Sequence, residues 1–385
     1  MRIALFQPAL PHYRAPLFDR LGSEPGIELT VFAGATKGGL KQVAVGTQYR
    51  YVHAPVRELQ LGRLDLRFQG KQLAETRSKA FDLIILPWDP HYLSLGMAIT
   101  KGRLNRIPVV LWGHGYSKNP RRIGDWMRNA YGTAADGIIV YSKSVAQMLV
   151  ERWKFKKDRV FVAQNATDQA PIKKATNYWT HAQKELASFQ NKWNIVPNKT
   201  VIFVSRLEPG NEVSMLLYAL QLSRQGDPEI KLVIVGDGRE KAHLQTLARE
   251  LGESNAVIFT GAIYDEHQLA PWMLSACLLC YPTNIGLSLM HAFGYGLPVV
   301  TGNNAAQHNP EIEALVHGVN GLFYAQGDVN DMSDKWLRIM NDETLRQKLS
   351  AKALYQVEHQ YTLDKMVQGF REVFAFYDAG MNKRA

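Results

Sequence analysis

The sequence predicts an α/β protein built from two Rossmann-like, doubly wound domains facing a central cleft. Three observations predict it. The chain has 385 residues, which is long for a single hydrophobic core. Short apolar runs alternate with longer stretches of helical period, the pattern of parallel strands covered by helices. Immediately past those runs the residues turn polar or glycine, which is where open parallel sheets place their ligands.

Taken in order, the expected strands of the first half are 3–6, 29–32, 83–86, 109–112, 137–141 and 160–163. Those of the second half are 200–204, 231–235, 257–260, 277–281 and 298–301. Helices are expected between them, including 243–251 and 289–295, with Ser288 as a capping residue. The polar stretch with Pro171 and Pro197 reads as a connection carrying a helix over 179–193. The expected organisation is therefore a first domain 1–170, a linker and helix 171–197, and a second domain 198–362. A last helix over 363–380 is expected to pack back on the first domain.

Composition narrows the class. The chain is 46% hydrophobic and 21% charged, as in ordinary globular proteins. No apolar run approaches the ~18 residues of a membrane span. The opening Met1–Pro8 reads as a buried strand interrupted by Gln7 and Pro8, not as a secretory leader. The expectation is a cytoplasmic protein, with the inner membrane face as a peripheral station. The two cysteines, Cys277 and Cys280, have the C-x-x-C spacing of redox or metal sites. They lie in a continuously apolar run with no second pair, so a buried strand is the better reading.

Charge is unevenly spread. Residues 1–175 hold 27 Lys+Arg against 13 Asp+Glu, and the remainder holds 18 against 22. A basic half calls for an anionic partner: lipid headgroups, a pyrophosphate-bearing substrate or nucleic acid. Nothing resembles an aromatic-basic strand or a recognition helix, which argues against nucleic acid. The segment from Lys118 to Tyr131 places Arg121, Arg122, Trp126, Met127 and Arg128 together. It suits either an anionic membrane surface or a helix packed on the sheet with a solvated charged face.

The most informative segment is Tyr281-Pro-Thr-Asn-Ile-Gly-Leu-Ser-Leu-Met-His-Ala-Phe-Gly-Tyr-Gly-Leu-Pro-Val-Val. A strand ends, a glycine-containing loop follows, and a helix begins near Leu287–Ser288. Unpaired backbone N–H groups at such a start hold phosphate, and Gly286 would let the backbone approach it closely. The segment resembles the donor-site signature of the family 4 glycosyltransferases, which have the GT-B fold: Pro-Ser-x-x-Glu-Gly-Phe-Gly-Leu-x-x-x-Glu-Ala-x-x-x-Gly-x-Pro-Val-Val. Pro282, Gly286, Leu287, Ala292, Gly296, Pro298, Val299 and Val300 match. Val204-Ser-Arg-Leu-Glu-Pro, Ile234-Val-Gly-Asp-Gly, Phe259-Thr-Gly-Ala-Ile, Gln164-Asn-Ala-Thr-Asp and the segment from Pro310 to Phe323 resemble other stretches of that family.

The resemblance implies transfer of a sugar from a UDP- or GDP-sugar donor to a carbohydrate or lipid-linked hydroxyl acceptor, with retention. No cofactor and no metal is implied beyond the nucleotide sugar itself. Arg206 would hold the diphosphate, the backbone near Ile263 would meet the nucleobase, and Thr283, Asn284, Gly286, Leu287 and Ser288 would line the donor loop. The family's two glutamates stand eight residues apart, at the positions of Thr283 and His291 here. The first contacts the donor sugar and the second the ribose. A histidine can still hydrogen-bond a ribose. Asn211 occupies the place of the family's lysine. These departures carry a second reading, a sugar-nucleotide-binding pseudoenzyme. In the first half, His114 follows a strand in Leu111-Trp-Gly-His-Gly, where the family's histidine contacts the donor sugar. His12, Tyr13 and Arg14 either line an acceptor site or pack within their loop, and Asp89 is a candidate for acceptor hydroxyls.

Overall fold

A computed structural model of the chain describes residues 1–34, 47–61, 64–77, 80–118 and 122–382. Arg121 and the Lys-Arg tail lie outside the described residues. The chain forms two compact units, Met1–Asn165 with Leu363–Ala385, and Ala166–Thr362.

In the first unit the strands are β1 (Arg2–Ala9), β2 (Glu28–Gly34), β3 (Arg50–His53), β4 (Arg57–Leu61), β5 (Leu64–Phe68), β6 (Leu83–Pro87), β7 (Val109–Gly113), β8 (Gly137–Val140) and β9 (Val160–Val162). Seven of them make one parallel sheet in the order β3-β2-β1-β6-β7-β8-β9. β4 and β5 form a separate antiparallel hairpin. The central strands are buried along their whole length: every residue of β6, β7 and β8 is enclosed. That is why they read as unbroken apolar runs. The last helix, Leu363–Asn382, belongs to this unit. Gly369 lies so close to β9 that a Cβ there would stand 2.3 Å from the Val162 carbonyl oxygen. Phe370 meets Trp112 at 5.0 Å between ring centroids, and Arg371 pairs with Glu24.

The second unit has six parallel strands: β10 (Thr200–Val204), β11 (Lys231–Val235), β12 (Val257–Gly261), β13 (Leu278–Tyr281), β14 (Val299–Gly302) and β15 (Gly321–Tyr324). Their order is β12-β11-β10-β13-β14-β15. Both sheets reverse their winding beside the first strand of the unit, between β1 and β6 and between β10 and β13. Such switch points open a crevice at the carboxyl ends of the flanking strands. In the second unit that crevice is bordered by the residues after Val204 and after Tyr281.

All eleven strands expected from the sequence are present. Four others are not legible in it. β3 is short and only half-buried, β15 is short and starts on a glycine, and the strands of the hairpin interleave charged and apolar residues. The single helix expected over 179–193 is two, Ala170–His181 and Gln183–Lys192, broken at Ala182 where the backbone leaves helical geometry. Ser288 does not cap its helix. Leu287 is the cap residue, and the Ser288 hydroxyl donates to the Val204 carbonyl at 3.1 Å. The two cysteines are unpaired and buried, and burial pushes the Cys277 thiol up to about 12 and Cys280 further. Thiols so held are inert, which removes the redox reading. No helix among the described residues is long and apolar enough to cross a membrane.

Candidate functional site

At the switch point of the second unit, the loop after β10 carries Arg206. Its backbone is clamped on both sides. Leu207 N–H donates to the Asp237 carbonyl at 2.9 Å, and Glu240 N–H donates to the Leu207 carbonyl at 3.0 Å. The Gly236–Gly238 turn nests directly against this loop. A Cβ at Gly236 would lie 1.9 Å from the Ser205 carbonyl oxygen, and one at Gly238 would lie 2.4 Å from that of Leu207. Those two glycines are needed for close backbone approach. The Arg206 side chain is exposed, and no described residue hydrogen-bonds it or pairs with its charge.

Asn211 stands on the inner side of the same loop and is buried. Its amide nitrogen donates to the Arg206 carbonyl at 2.7 Å, and its amide oxygen accepts from Asn284 at 3.1 Å. The residue in the lysine's place therefore braces two loops against each other, and it adds no charge.

The loop after β13 is held by a segment that sequence reasoning missed. Thr283 is buried and donates to the Gln307 amide oxygen at 3.1 Å. Ile285 N–H donates to Nδ1 of the fully buried His308 at 3.3 Å, while His308 Nε2 donates to the Gly302 carbonyl at 2.8 Å. These two bonds fix the imidazole as the Nε2-protonated tautomer. Asn309 donates to the carbonyls of Asn284 and Ile285. Gly286 is small because of Asn309: a Cβ there would meet the Asn309 amide nitrogen at 2.9 Å. The close approach is thus to a side chain, where the sequence suggested a ligand. Asn284 takes the left-handed conformation at φ 65°, which asparagine tolerates better than most residues. The signal that was available was the polar run Gln307-His308-Asn309 lying just before Pro310.

The N–H groups of Gly286, Leu287 and Ser288 have no acceptor among the described residues. The bond from Ser288 to Val204 holds this helix start against the end of β10, two residues before Arg206. An exposed guanidinium and a set of unpaired N–H groups thus share one strand end, which is the chemistry of a phosphate site.

His291 is on the same helix, Ser288–Gly294. Its Nε2 is 2.8 Å from Oε1 of Glu266, and Tyr295 donates its hydroxyl to the same oxygen. Burial and then the Glu266 charge push the Tyr295 hydroxyl strongly upward, so it stays protonated and keeps donating. The family's carboxylate at position 291 is absent, yet a carboxylate stands beside it. Ile263, in the loop before the helix Glu266–Leu274, is half-buried against the unit's core.

Of the first-unit candidates, His114 and Arg14 meet around Tyr141. His114 is exposed as a residue, yet its imidazole is desolvated by the protein around it. That desolvation, followed by the charges of Arg14, Lys118 and Arg128, lowers its pKa to about 4. The imidazole is neutral at physiological pH. It sits 5.0 Å from the Tyr141 ring. Arg14 is buried. It donates to Asn165 at 2.8 Å and lies over the rings of Tyr13, Trp112 and Tyr141 at 5.0–5.4 Å. His12 is exposed and Tyr13 half-buried, with their rings edge to face. Asp89 is engaged by Arg67 at 3.1 Å and by His91 at 2.7 Å, tying the β4–β5 hairpin to the loop after β6. Arg128 is buried and paired with Asp125 at 2.8 Å, so it does not face outward with Trp126.

Two doubly wound parallel domains, the second with a phosphate-suited crevice at its switch point, define the GT-B fold. Comparison with known proteins agrees. Anabaena HepE, solved in complex with UDP, is similar with a TM-score of 0.71 at 17% identity, covering 97% of this chain and 99% of that one. Residues 186–355 match the model of the glycosyl transferases group 1, and residues 20–170 match that of glycosyltransferase family 4. The chain belongs to the family 4, group 1 glycosyltransferases, as a member without the paired glutamates. It is 28% identical over 180 residues to an exopolysaccharide phosphotransferase of Streptomyces coelicolor, covering 46% of this chain and 18% of that protein. It is 26% identical over 196 residues to the alpha-monoglucosyldiacylglycerol synthase of Streptococcus pneumoniae, covering 48% and 43%. The chain thus spans less than half the length of either relative.

Proposed function

We propose that the protein transfers a sugar from a UDP- or GDP-sugar to a hydroxyl of a carbohydrate or lipid-linked acceptor, with retention at the anomeric carbon and without a metal ion. The observation that carries this reading is the exposed Arg206 beside the N–H groups of Gly286, Leu287 and Ser288, none of them with a partner among the described residues. In the reaction the bond from the anomeric carbon to the diphosphate oxygen breaks, and its electron pair leaves with the diphosphate. The acceptor oxygen bonds to the same face of that carbon, and its proton passes to the departing phosphate. Negative charge builds on the diphosphate, where Arg206 and the N–H groups stabilise it most.

The remaining roles are those that the family resemblance implies. His291, paired with Glu266, meets the ribose, and the backbone at Ile263 meets the base. Thr283 and Asn284 line the sugar side of the loop without charge. His114 contacts the donor sugar as a neutral imidazole. His12 and Tyr13 meet the acceptor. Arg14 holds them in place from beneath, and Asp89 shapes the neighbouring loop.

A second reading, donor binding without transfer, draws on the buried, uncharged Thr283 and on Asn211 in place of a cation. A thermal-shift screen of the wild type against UDP, GDP, ADP and their sugars, followed by turnover of the stabilising sugar, separates the two. Stabilisation with turnover that Arg206→Ala abolishes supports transfer. Stabilisation with no turnover of any sugar supports the second reading.

A further inference from the structure

The helix Leu93–Leu104 lies on the sheet of the first unit and carries large apolar side chains on its outer as well as its inner face. Leu95, Ala98 and Ile99 face inward and are buried. Leu93, Met97 and Leu104, spaced i, i+4 and i+11, form an outward stripe exposed by 42%, 44% and 76%. A helix covering a sheet ordinarily turns a polar face to water. The helix Arg122–Ala134 packs beside it: Gly96 lies against the Tyr131 ring, and Arg103 donates to the Ala134 carbonyl at 2.9 Å. This second helix exposes Ile123 and Trp126 by 76% and 70%. Five of the seven large exposed apolar side chains described in the first unit therefore sit on two neighbouring helices.

The flanks of this stripe are basic. Beyond Trp126 lies a shallow groove of about 370 Å³ lined by Asp125, Trp126, Asn129, Arg152 and Trp153. The chain then runs through exposed Arg152, Lys154, Lys156 and Lys157, and residues 151–159 hold five basic against two acidic side chains. At the other end, Arg103 and Arg106 are exposed on either side of Leu104. A second copy of the chain would bring these like charges together. A bilayer containing anionic lipid offers an apolar interior for the stripe and opposite charge for its rim, and tryptophan favours the boundary between them.

We propose that the helices Leu93–Leu104 and Arg122–Ala134 dock the protein on an anionic lipid bilayer, with Ile123 and Trp126 entering the headgroup boundary. The inference deepens the lipid-linked-acceptor reading above and rests on it for its purpose, but the contact is tested without any donor.

The full chain is floated with vesicles of phosphatidylcholine alone and of phosphatidylcholine with phosphatidylglycerol, and its thermal shift with UDP is measured in parallel. Expected is binding to the anionic vesicles, weakened by salt and at least roughly tenfold weaker on phosphatidylcholine alone. Ile123→Ser with Trp126→Ser, and separately Met97→Gln with Leu104→Gln, each lower vesicle binding roughly tenfold and leave the UDP shift as in the wild type. Full vesicle binding by either pair overturns the proposal. So does failure of the wild type to bind anionic vesicles, or a dimer in solution that the same substitutions dissociate. Vesicle binding with no response to any nucleotide would leave the docking surface standing and sink the donor reading instead.

Discussion

Arg14 and Arg206 occupy comparable places in their own sheets. Each follows the strand beside which the winding reverses, β1 in one unit and β10 in the other. Arg14 is absorbed by its surroundings: three aromatic rings and Asn165 take up its charge and its donors. Among the described residues Arg206 has no such partner, although its loop is held by Asp237 at the Leu207 N–H and by Asn211 at the Arg206 carbonyl. One position builds its unit, and the other leaves its side chain exposed. The difference lies in the side chain's neighbours, not in the topology.

The sharpest break of this comparison is Arg206→Ala. Turnover should fall about 100- to 1,000-fold, as when a single charge-stabilising donor is removed. Melting should move little, because an exposed unpaired side chain contributes within about 0.5 kcal/mol. A large loss of stability with turnover preserved would reverse the two arginines' roles. Arg14→Met should do the opposite. Losing the charged hydrogen bond to Asn165 and the ring contacts should cost the first unit about 2–3 kcal/mol in denaturant unfolding. The UDP-induced thermal shift should persist.

Asn211→Lys tests whether the lysine is missing or replaced. A lysine there forfeits the bonds to Arg206 and Asn284 and buries a charge, at a cost of about 1–2 kcal/mol. Turnover should not rise. A gain would mean that the bracing role inferred for Asn211 is secondary. Gly286→Ala crowds the Asn309 amide and should lower stability by about 1 kcal/mol, read from the melting midpoint. The smallest effect is a slope with pH. His114 holds its pKa near 4, below its ordinary 6.5, so its neutral form is favoured by folding. Its contribution to stability is complete above about pH 6.5 and is lost as the pH falls toward 4. Melting points of the wild type and His114→Asn, compared at pH 7 and pH 5, should draw closer at the lower pH. Parallel changes would show that the ring titrates as in an unfolded chain.

The legible parts of the molecule share a local cause. Strands such as Thr200–Val204 and Leu83–Pro87 announce themselves because a strand buried on both faces must be apolar throughout. The loop after Tyr281 was legible because glycines, a proline and a helix start follow one another within a few residues. The collar Gln307-His308-Asn309 was not. Its partners Thr283, Ile285 and Asn284 lie some two dozen positions away, and nothing in a polar run states which backbone it will satisfy. Glu266 was missed for the same reason. It meets His291 across 25 positions.

Residue order alone was enough for eleven of the fifteen strands, for the loop and helix start after Tyr281, and for Thr283, His291 and Asn211 standing where the family has two glutamates and a lysine. Those features depend on periodicity and on neighbours along the chain. Folding in three dimensions assigned the partners. It buried Arg14 and Arg128, left Arg206 open, turned Asn211 into a brace, and exposed Leu93, Met97, Leu104, Ile123 and Trp126 on two neighbouring helices. Such assignments are made by packing between distant segments, because charge, hydrogen bonds and apolar area are satisfied by whatever the fold brings near.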